Sequence, residues 1–264
     1  MDEKILHTIG HSNQTIEEFI LLLNAYCIDC IIDIRSVPYS KYTPQFNSEA
    51  LKTQLNKHGV LYAHFGNEFG ARRTDCLQST EFRKKGMTEI KQQVNFELGV
   101  TTNNFIRGVE RLQKAISQGR HISLMCSEAD PLGCHRFSFI SRYFHENGWD
   151  VRHIVRDEES GAPNWRSHRE LEQKMILEYV MAKKLQEIPG QCQPALLFDF
   201  GDGYNEQQQR VDAYRLKNHE IGWIPTDNND TDNLIDKKDG YTLYDWIYKE
   251  KCGTVFRASE KEWS

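Results

Sequence analysis

Residues 28–38 read IDCIIDIRSVP. The run from Ile28 to Ile34 is short, β-branched and nearly unbroken, which is the pattern of a central strand covered on both faces. It ends at Asp33-Ile34-Arg35-Ser36-Val37-Pro38, where proline stops further pairing. Upstream, Lys4 to Ile9 suits a first strand. Gly10-His11-Ser12 then turns into a helix with Ile16, Phe19, Ile20, Leu22 and Leu23 at helical spacing. Thr15 is its expected N-cap, with Glu17 and Glu18 favoured by the helix dipole. Downstream come a loop with Tyr39, Tyr42, Pro44 and Phe46, a helix from about Ser48 to His58, and a third strand around Val60 to His64.

Residues 65–79 read as an irregular loop, and helices are expected near 80–94 and 102–117. A strand follows at Ile122 to Met125, then a helix marked by Phe137, Ile140, Tyr143 and Phe144. Asn147-Gly148 ends that helix, and Val151 to Val155 supplies a fifth strand. Strands alternating with helices at these lengths predict an α/β fold with a mainly parallel sheet. Residues 166–187 read as a charged helix, and Pro189-Gly190 marks a boundary. Residues 191–224, with ALLFDF and a helix through Val211 to Leu216, are expected to pack on the 1–190 domain. The segment 225–264 reads as an acidic linker and an aromatic-rich tail.

The chain has 264 residues, 39% of them hydrophobic, enough for one sizeable core. No run of eighteen apolar residues exists, and the N-terminus lacks the apolar stretch of a signal peptide, so a cytoplasmic protein without a membrane partner is expected. Seven cysteines without framework spacing predict reduced thiols. The pair Cys27 and Cys30 is expected to be buried, since its spacing straddles a helix end and a strand start. A net charge of −5 argues against a nucleic-acid binder that coats phosphates with a large basic surface.

Ligands of open α/β sheets sit beyond the carboxyl ends of the strands. Four loops fit that rule: Gly10-His11-Ser12, Asp33 to Arg35, Phe65 to Arg73, and the loop in HISLMCSEADPLGCHR, residues 121–136. The last carries Cys126, Glu128, Asp130, Cys134, His135 and Arg136. A thiol at a helix start is acidified, and an arginine there forks onto phosphate or carboxylate. Glu128 and Glu68 are candidate general acids or bases. The blander readings are a core cysteine at Cys126, an Arg136 that ties down the loop through Asp130 or Asp33, and a His11 that caps its helix. Zinc is the other use of the same atoms, with Cys126, Cys134 and His135 joined by His7 or His11. Against it, Cys134 and His135 are adjacent and expected to point apart.

The chain resembles the domain of unknown function 488 family over roughly residues 1–224. The matching pieces are TIGHSNQTIEEFILLL (8–23), IIDIRSVPYSKYTPQFN (31–47), Gly66 to Arg73, LMCSEADPLGCHR (124–136) and AYRLKNHEIGW (213–223). The resemblance implies a Rossmann-like domain whose shared polar residues line one cleft: His11, Ser12, Asp33, Arg35, Pro38, Gly70, Arg72, Cys126, Glu128, Cys134, His135 and Arg136.

The leading functional expectation is an enzyme, a hydrolase or transferase, that binds a nucleotide or other small phosphate-bearing ligand. Arg35, Arg72 and Arg136 hold the anion while Glu128 with Cys126 or His135 acts on the neighbouring bond. This chemistry needs no cofactor. The alternatives are a non-catalytic module in which Tyr39, Tyr42 and Phe46 stack a base, and an interaction protein docking through its C-terminal segment. Nothing in the sequence names the oligomeric state.

Overall fold

The first apolar run becomes β1, Ile5–Gly10, and the helix after it becomes α1, Ile16–Ala25. A full capping box starts α1: Thr15 accepts from the Glu18 backbone while the Glu18 side chain accepts from the Thr15 N–H, 2.9 Å away. In the computed structural model, which describes residues 4–84, 87–157, 159–187 and 206–225, the chain is an α/β fold. The order continues β2 (Cys30–Asp33), α2 (Ser48–Lys57), β3 (Leu61–His64), the single-turn α3 (Gly66–Phe69), β4 (Leu77–Lys84) and β5 (Met87–Val94). Then come α4 (Phe96–Gly99), α5 (Asn103–Ser117), β6 (Ile122–Cys126), a π-helical stretch (Arg136–Ser141), α6 (Arg142–Glu146) and β7 (Asp150–Arg156). The described chain closes with β8 (Pro163–Ser167), α7 (His168–Glu187) and α8 (Glu206–Ile221).

Six strands form one sheet in the order β3-β2-β6-β1-β7-β8, parallel throughout except for β8, which runs antiparallel to β7. Alternate residues of the central strands serve opposite faces. Ile9, Ile31 and Met125 pack with Phe19 and Leu23 of α1 and Leu51 and Leu55 of α2. Leu6, Ile32 and Leu124 pack on the other face with Phe105 and Leu112 of α5 and Phe139 and Phe144 beyond β6. The chain leaving β1 therefore goes to one face and the chain leaving the adjacent β6 to the other. That divergence opens the place in an open α/β sheet where ligands bind.

Residues 80–94 are not helical. They build a separate antiparallel hairpin, β4 with β5, in register from Leu77 opposite Val94 to Lys84 opposite Met87. Glu, Lys and Gln favour helix in isolation, but cross-strand pairing and docking at one end override that preference. Val94 is buried and its N–H bonds the Trp223 carbonyl at 2.9 Å, while the Gln93 amide reaches the carbonyls of His219 and Gly222 at 2.9 and 3.0 Å. The edge strand β8 also escaped the sequence reading. Cys30 is buried as expected, but Cys27 is exposed, at a turn with φ of 53° just past α1. The helix expected at Val211 to Leu216 extends over all of α8, and its Ala213 and Tyr214 pack with Leu132, Phe137 and Met175. No helix among the described residues is long and apolar enough to cross a membrane. The Pro189-Gly190 boundary, ALLFDF and the tail 226–264 lie outside the described residues.

Candidate functional site

Strand β6 delivers Cys126 to its carboxyl end on the α5 face, beside Leu124 in the core. Its partner β1 ends at Gly10, and the ladder continues past both strands: His11 N–H bonds the Cys126 carbonyl at 3.0 Å and Ser12 N–H bonds that of Ser127 at 2.8 Å. A Cβ on Gly10 would fall 1.8 Å from the Glu128 carbonyl oxygen. Only glycine lets the 127–129 segment lie this close. The loop then folds back through the turn Pro131–Gly133, capped by Asp130 onto Leu132 N–H at 3.0 Å, and returns Cys134 and His135 to the strand end.

Four expected catalytic or binding side chains meet there. One carboxyl oxygen, Glu128 Oε2, lies within hydrogen-bond distance of both Cys126 Sγ and Cys134 Sγ, 3.0 Å from each. His135 Nδ1 faces the same two sulfurs at 3.7 and 3.8 Å. On its far side, His135 Nε2 lies 3.3 Å from the Ile34 carbonyl. A carbonyl only accepts, so Nε2 carries a proton and Nδ1 is the nitrogen turned toward the thiols. Adjacent residues thus point the same way, contrary to the expectation that separated Cys134 from His135: the helix start turns the imidazole back over its neighbour. Cys126, Cys134 and His135 are buried, whereas Glu128 is half-buried and reaches solvent.

Protonation in this cluster is divided unequally. Burial raises the Cys126 thiol well above its ordinary range, and its contacts with Cys134 add to that. Burial acts the same way on Cys134, but the Cys126 hydrogen bond and the charges of Arg136 and His135 outweigh it and hold this thiol well below the usual range. Burial disfavours the charged imidazole of His135, yet the facing Cys134 raises it overall. Burial, then Cys134, raises the Glu128 carboxyl.

The arginines are placed differently from their expected roles. Arg136 is fully buried and spends Nη1 and Nη2 on the carbonyls of Glu128 and Ala129 at 2.5 and 2.7 Å. It ties the loop down through backbone oxygens instead of Asp130 or Asp33. Arg35 forks onto Asp33 at 2.9 and 2.6 Å and also donates to the Phe46 carbonyl at 2.8 Å. Tyr62 donates its hydroxyl to the same Asp33 at 2.8 Å. His11 closes this second network, with Nδ1 on the Ser12 carbonyl at 2.7 Å, Nε2 on Arg35 at 3.1 Å and its ring stacked on Phe46 at 4.3 Å. Burial, then Arg35, lowers its pKa to about 4. His11 caps no helix, since Thr15 does so, and neither His11 nor His7 joins the two thiols.

Arg72 differs: its N–H bonds Ser36 Oγ at 2.8 Å, but no described residue pairs its guanidinium. The turn Ile34 to Ser36 links it to the thiol cluster, because Ile34 receives His135 and Ser36 receives Arg72. Gly70 holds that approach open, as its Cβ would fall 2.4 Å from Ser36 Oγ. Pro38 contributes its carbonyl to Ser48 N–H at 3.0 Å. Ser12 takes a left-handed φ of 46° at the crossing of β1 and the 127–129 loop. Glu68 lies elsewhere: it is buried and ion-paired with Arg111 of α5, which removes it from the acid–base candidates. Phe46 is buried beneath His11, while Tyr39 and Tyr42 are exposed.

Two features had no strong signal in the sequence. A cleft of about 1050 Å³ borders the 129–131 segment, lined by Ser12, Asn13, Asp130, Arg156, Arg166 and Lys174 among others. Its basic residues come from β7, β8 and α7, which no motif linked to the loops. A buried chain of hydrogen bonds also runs from Thr8 through His153 (2.8 Å), His168 (3.2 Å) and Tyr214 (3.0 Å) to Glu172 (2.8 Å). It pins α7 and α8 to the sheet.

No match to the chain was found among curated proteins or among solved structures. A family model matches residues 15–143, beginning after the TIGHS motif and ending before AYRLKNHEIGW, so it covers less than the sequence resemblance. The stretch that carries Asp33, Arg72 and the whole Cys126 to Arg136 loop belongs to the family described as Domain of unknown function DUF488.

Proposed function

We propose that this domain, Rossmann-like in its strand-end divergence, is a hydrolase or transferase acting on a small phosphate-bearing ligand, with a nucleotide as the fitting class. The observation that carries the reading is the single oxygen of Glu128 set 3.0 Å from two thiols while the residue itself reaches solvent. A carboxyl held against two thiols in a residue that is partly exposed is equipped to move a proton to or from a ligand that reaches it. Of the three arginines expected to hold an anion, Arg35 and Arg136 organise the site, and Arg72 is left to meet the phosphate.

The test is turnover of a panel of nucleotides and sugar phosphates by the full chain, its Glu128→Gln variant and its Cys126→Ser variant. Loss of a general acid or base lowers kcat by on the order of 10²–10⁴-fold. Turnover equal to wild type in both variants refutes the catalytic reading. A non-catalytic module is favoured by one observation, the exposure of Tyr39 and Tyr42 as candidate stacking surfaces. In that case calorimetry would find nucleotide binding lost in Tyr42→Ala and kept in Glu128→Gln.

A further inference from the structure

We propose that Cys126, Cys134 and His135 form a binding site for a divalent metal of the zinc type, with a fourth position open beside Glu128. Their donor atoms, two Sγ and Nδ1, all lie within 4.8 Å of one another. A tetrahedral zinc ion with sulfur at ~2.3 Å and nitrogen at ~2.0 Å sets its sulfur and nitrogen ligands roughly 3.6 Å apart. The corresponding separations here are 3.7 and 3.8 Å, so a metal would need little rearrangement of these side chains.

The surroundings match a metal site as well as the donors do. The contact of His135 Nε2 with the Ile34 carbonyl fixes the tautomer that turns a lone pair of Nδ1 toward the sulfurs. The Arg136 N–H points at Cys134 Sγ from 3.4 Å, a contact that supports a thiolate ligand. All three side chains are buried, and the polypeptide around them is tied down by the Arg136 guanidinium and by the close approach at Gly10. Two thiolates and a neutral imidazole select a borderline-soft ion over magnesium or calcium.

Glu128 touches both sulfurs but is not among the three mutually close donors. Three protein ligands with a carboxylate beside a free position is the composition of catalytic zinc sites, in contrast to closed four-ligand structural sites. Here the inference rests on the acid–base role of Glu128 proposed above. A water in the fourth position gives one proton to Glu128, the resulting hydroxide adds to the electrophilic atom of the ligand, and Glu128 returns that proton to the leaving group. One water is consumed for each bond cut.

Cobalt(II) titration of the full chain after chelator treatment tests the site by absorbance. One equivalent is expected to produce thiolate-to-cobalt charge-transfer bands and the intense visible bands of tetrahedral cobalt. Cys126→Ser, Cys134→Ser and His135→Gln should each weaken binding by on the order of 100-fold or more, at or beyond the upper end of the roughly 10–100-fold effect of losing an outer-shell partner. Cys27→Ser, at an exposed thiol outside the cluster, and Glu128→Gln should keep the bands. Circular dichroism shows which variants fold, and the folded ones decide. No band in the wild type, or a band that survives in folded cysteine variants, overturns the site. Loss of the band in Glu128→Gln overturns the open position. The two proposals fail separately: full turnover after removal of all metal ends the metal's part and leaves Glu128 acid–base chemistry standing. Intact bands with unchanged Glu128→Gln turnover do the reverse.

Discussion

Arg136→Met separates a loop clamp from a ligand anchor. The guanidinium is fully buried and gives two charge-assisted hydrogen bonds to the carbonyls of Glu128 and Ala129. Such bonds contribute about 1.5–3 kcal/mol each, and a buried acceptor left without a donor costs about 1–3 kcal/mol. Methionine keeps much of the stem volume, so cavity formation adds little. Glu128 is half-buried and Ala129 exposed, so water recovers part of the loss, which places the net destabilisation at about 3 kcal/mol. For a domain of this size that is roughly 6–12 °C in Tm. Urea denaturation followed by circular dichroism gives the free energy, and a thermal melt gives the shift. Arg136→Lys should recover little, because an ammonium cannot reproduce the fork that spans two carbonyls. A loss below about 1 kcal/mol, accompanied by lost nucleotide binding, would refute the clamp and make Arg136 a ligand contact.

Three further outcomes follow from the same geometry. Gly10→Ala drives a Cβ into the Glu128 carbonyl, 1.8 Å away, so it should cost about 1–3 kcal/mol and displace Glu128; a melt like that of the wild type would contradict this. Burial holds His153 and His168 neutral, with pKa values well below 6.5 in the folded state, so their stabilisation is complete above about pH 6.5 and declines as pH falls below it. Together they give a slope of about 3 kcal/mol per pH unit in that window, and a urea midpoint unchanged between about pH 7 and pH 5.5 would count against the buried relay. Arg111→Ala leaves the buried Glu68 carboxylate without its partner and should cost about 1–3 kcal/mol, yet leave cobalt spectra untouched, since Glu68 lies outside the thiol cluster; an altered spectrum would place Glu68 in the site.

Much of this site could be read from residue order because local rules act within a few residues. The apolar runs around Leu6, Ile31, Leu124 and Val151 became parallel strands, Thr15 became the cap of α1, and the loops after β1, β2 and β6 converged as the topology demanded. What remained hidden depends on distant partners. The sequence could not say that Arg35 is spent on Asp33, that Glu68 belongs to Arg111, or that Arg136 serves two backbone oxygens, because any guanidinium has several acids and carbonyls within reach. The hairpin at Leu77 to Val94 reads as helix from its Glu, Lys and Gln content until Val94 and Gln93 are seen docked against Trp223 and Gly222. Cys134 and His135 share one centre only because the chain turns into a helix between them, a geometry that linear spacing does not reveal.

Cys134 and Glu128 work as one coupled unit at the end of β6, and a double-mutant cycle measures that coupling directly. Urea denaturation of the wild type, Cys134→Ala, Glu128→Gln and the double variant gives the interaction energy. A shared buried hydrogen bond of 3.0 Å predicts non-additivity on the order of 1 kcal/mol. Single effects that sum to the double effect within about 0.3 kcal/mol would show that the two side chains do not form the site described.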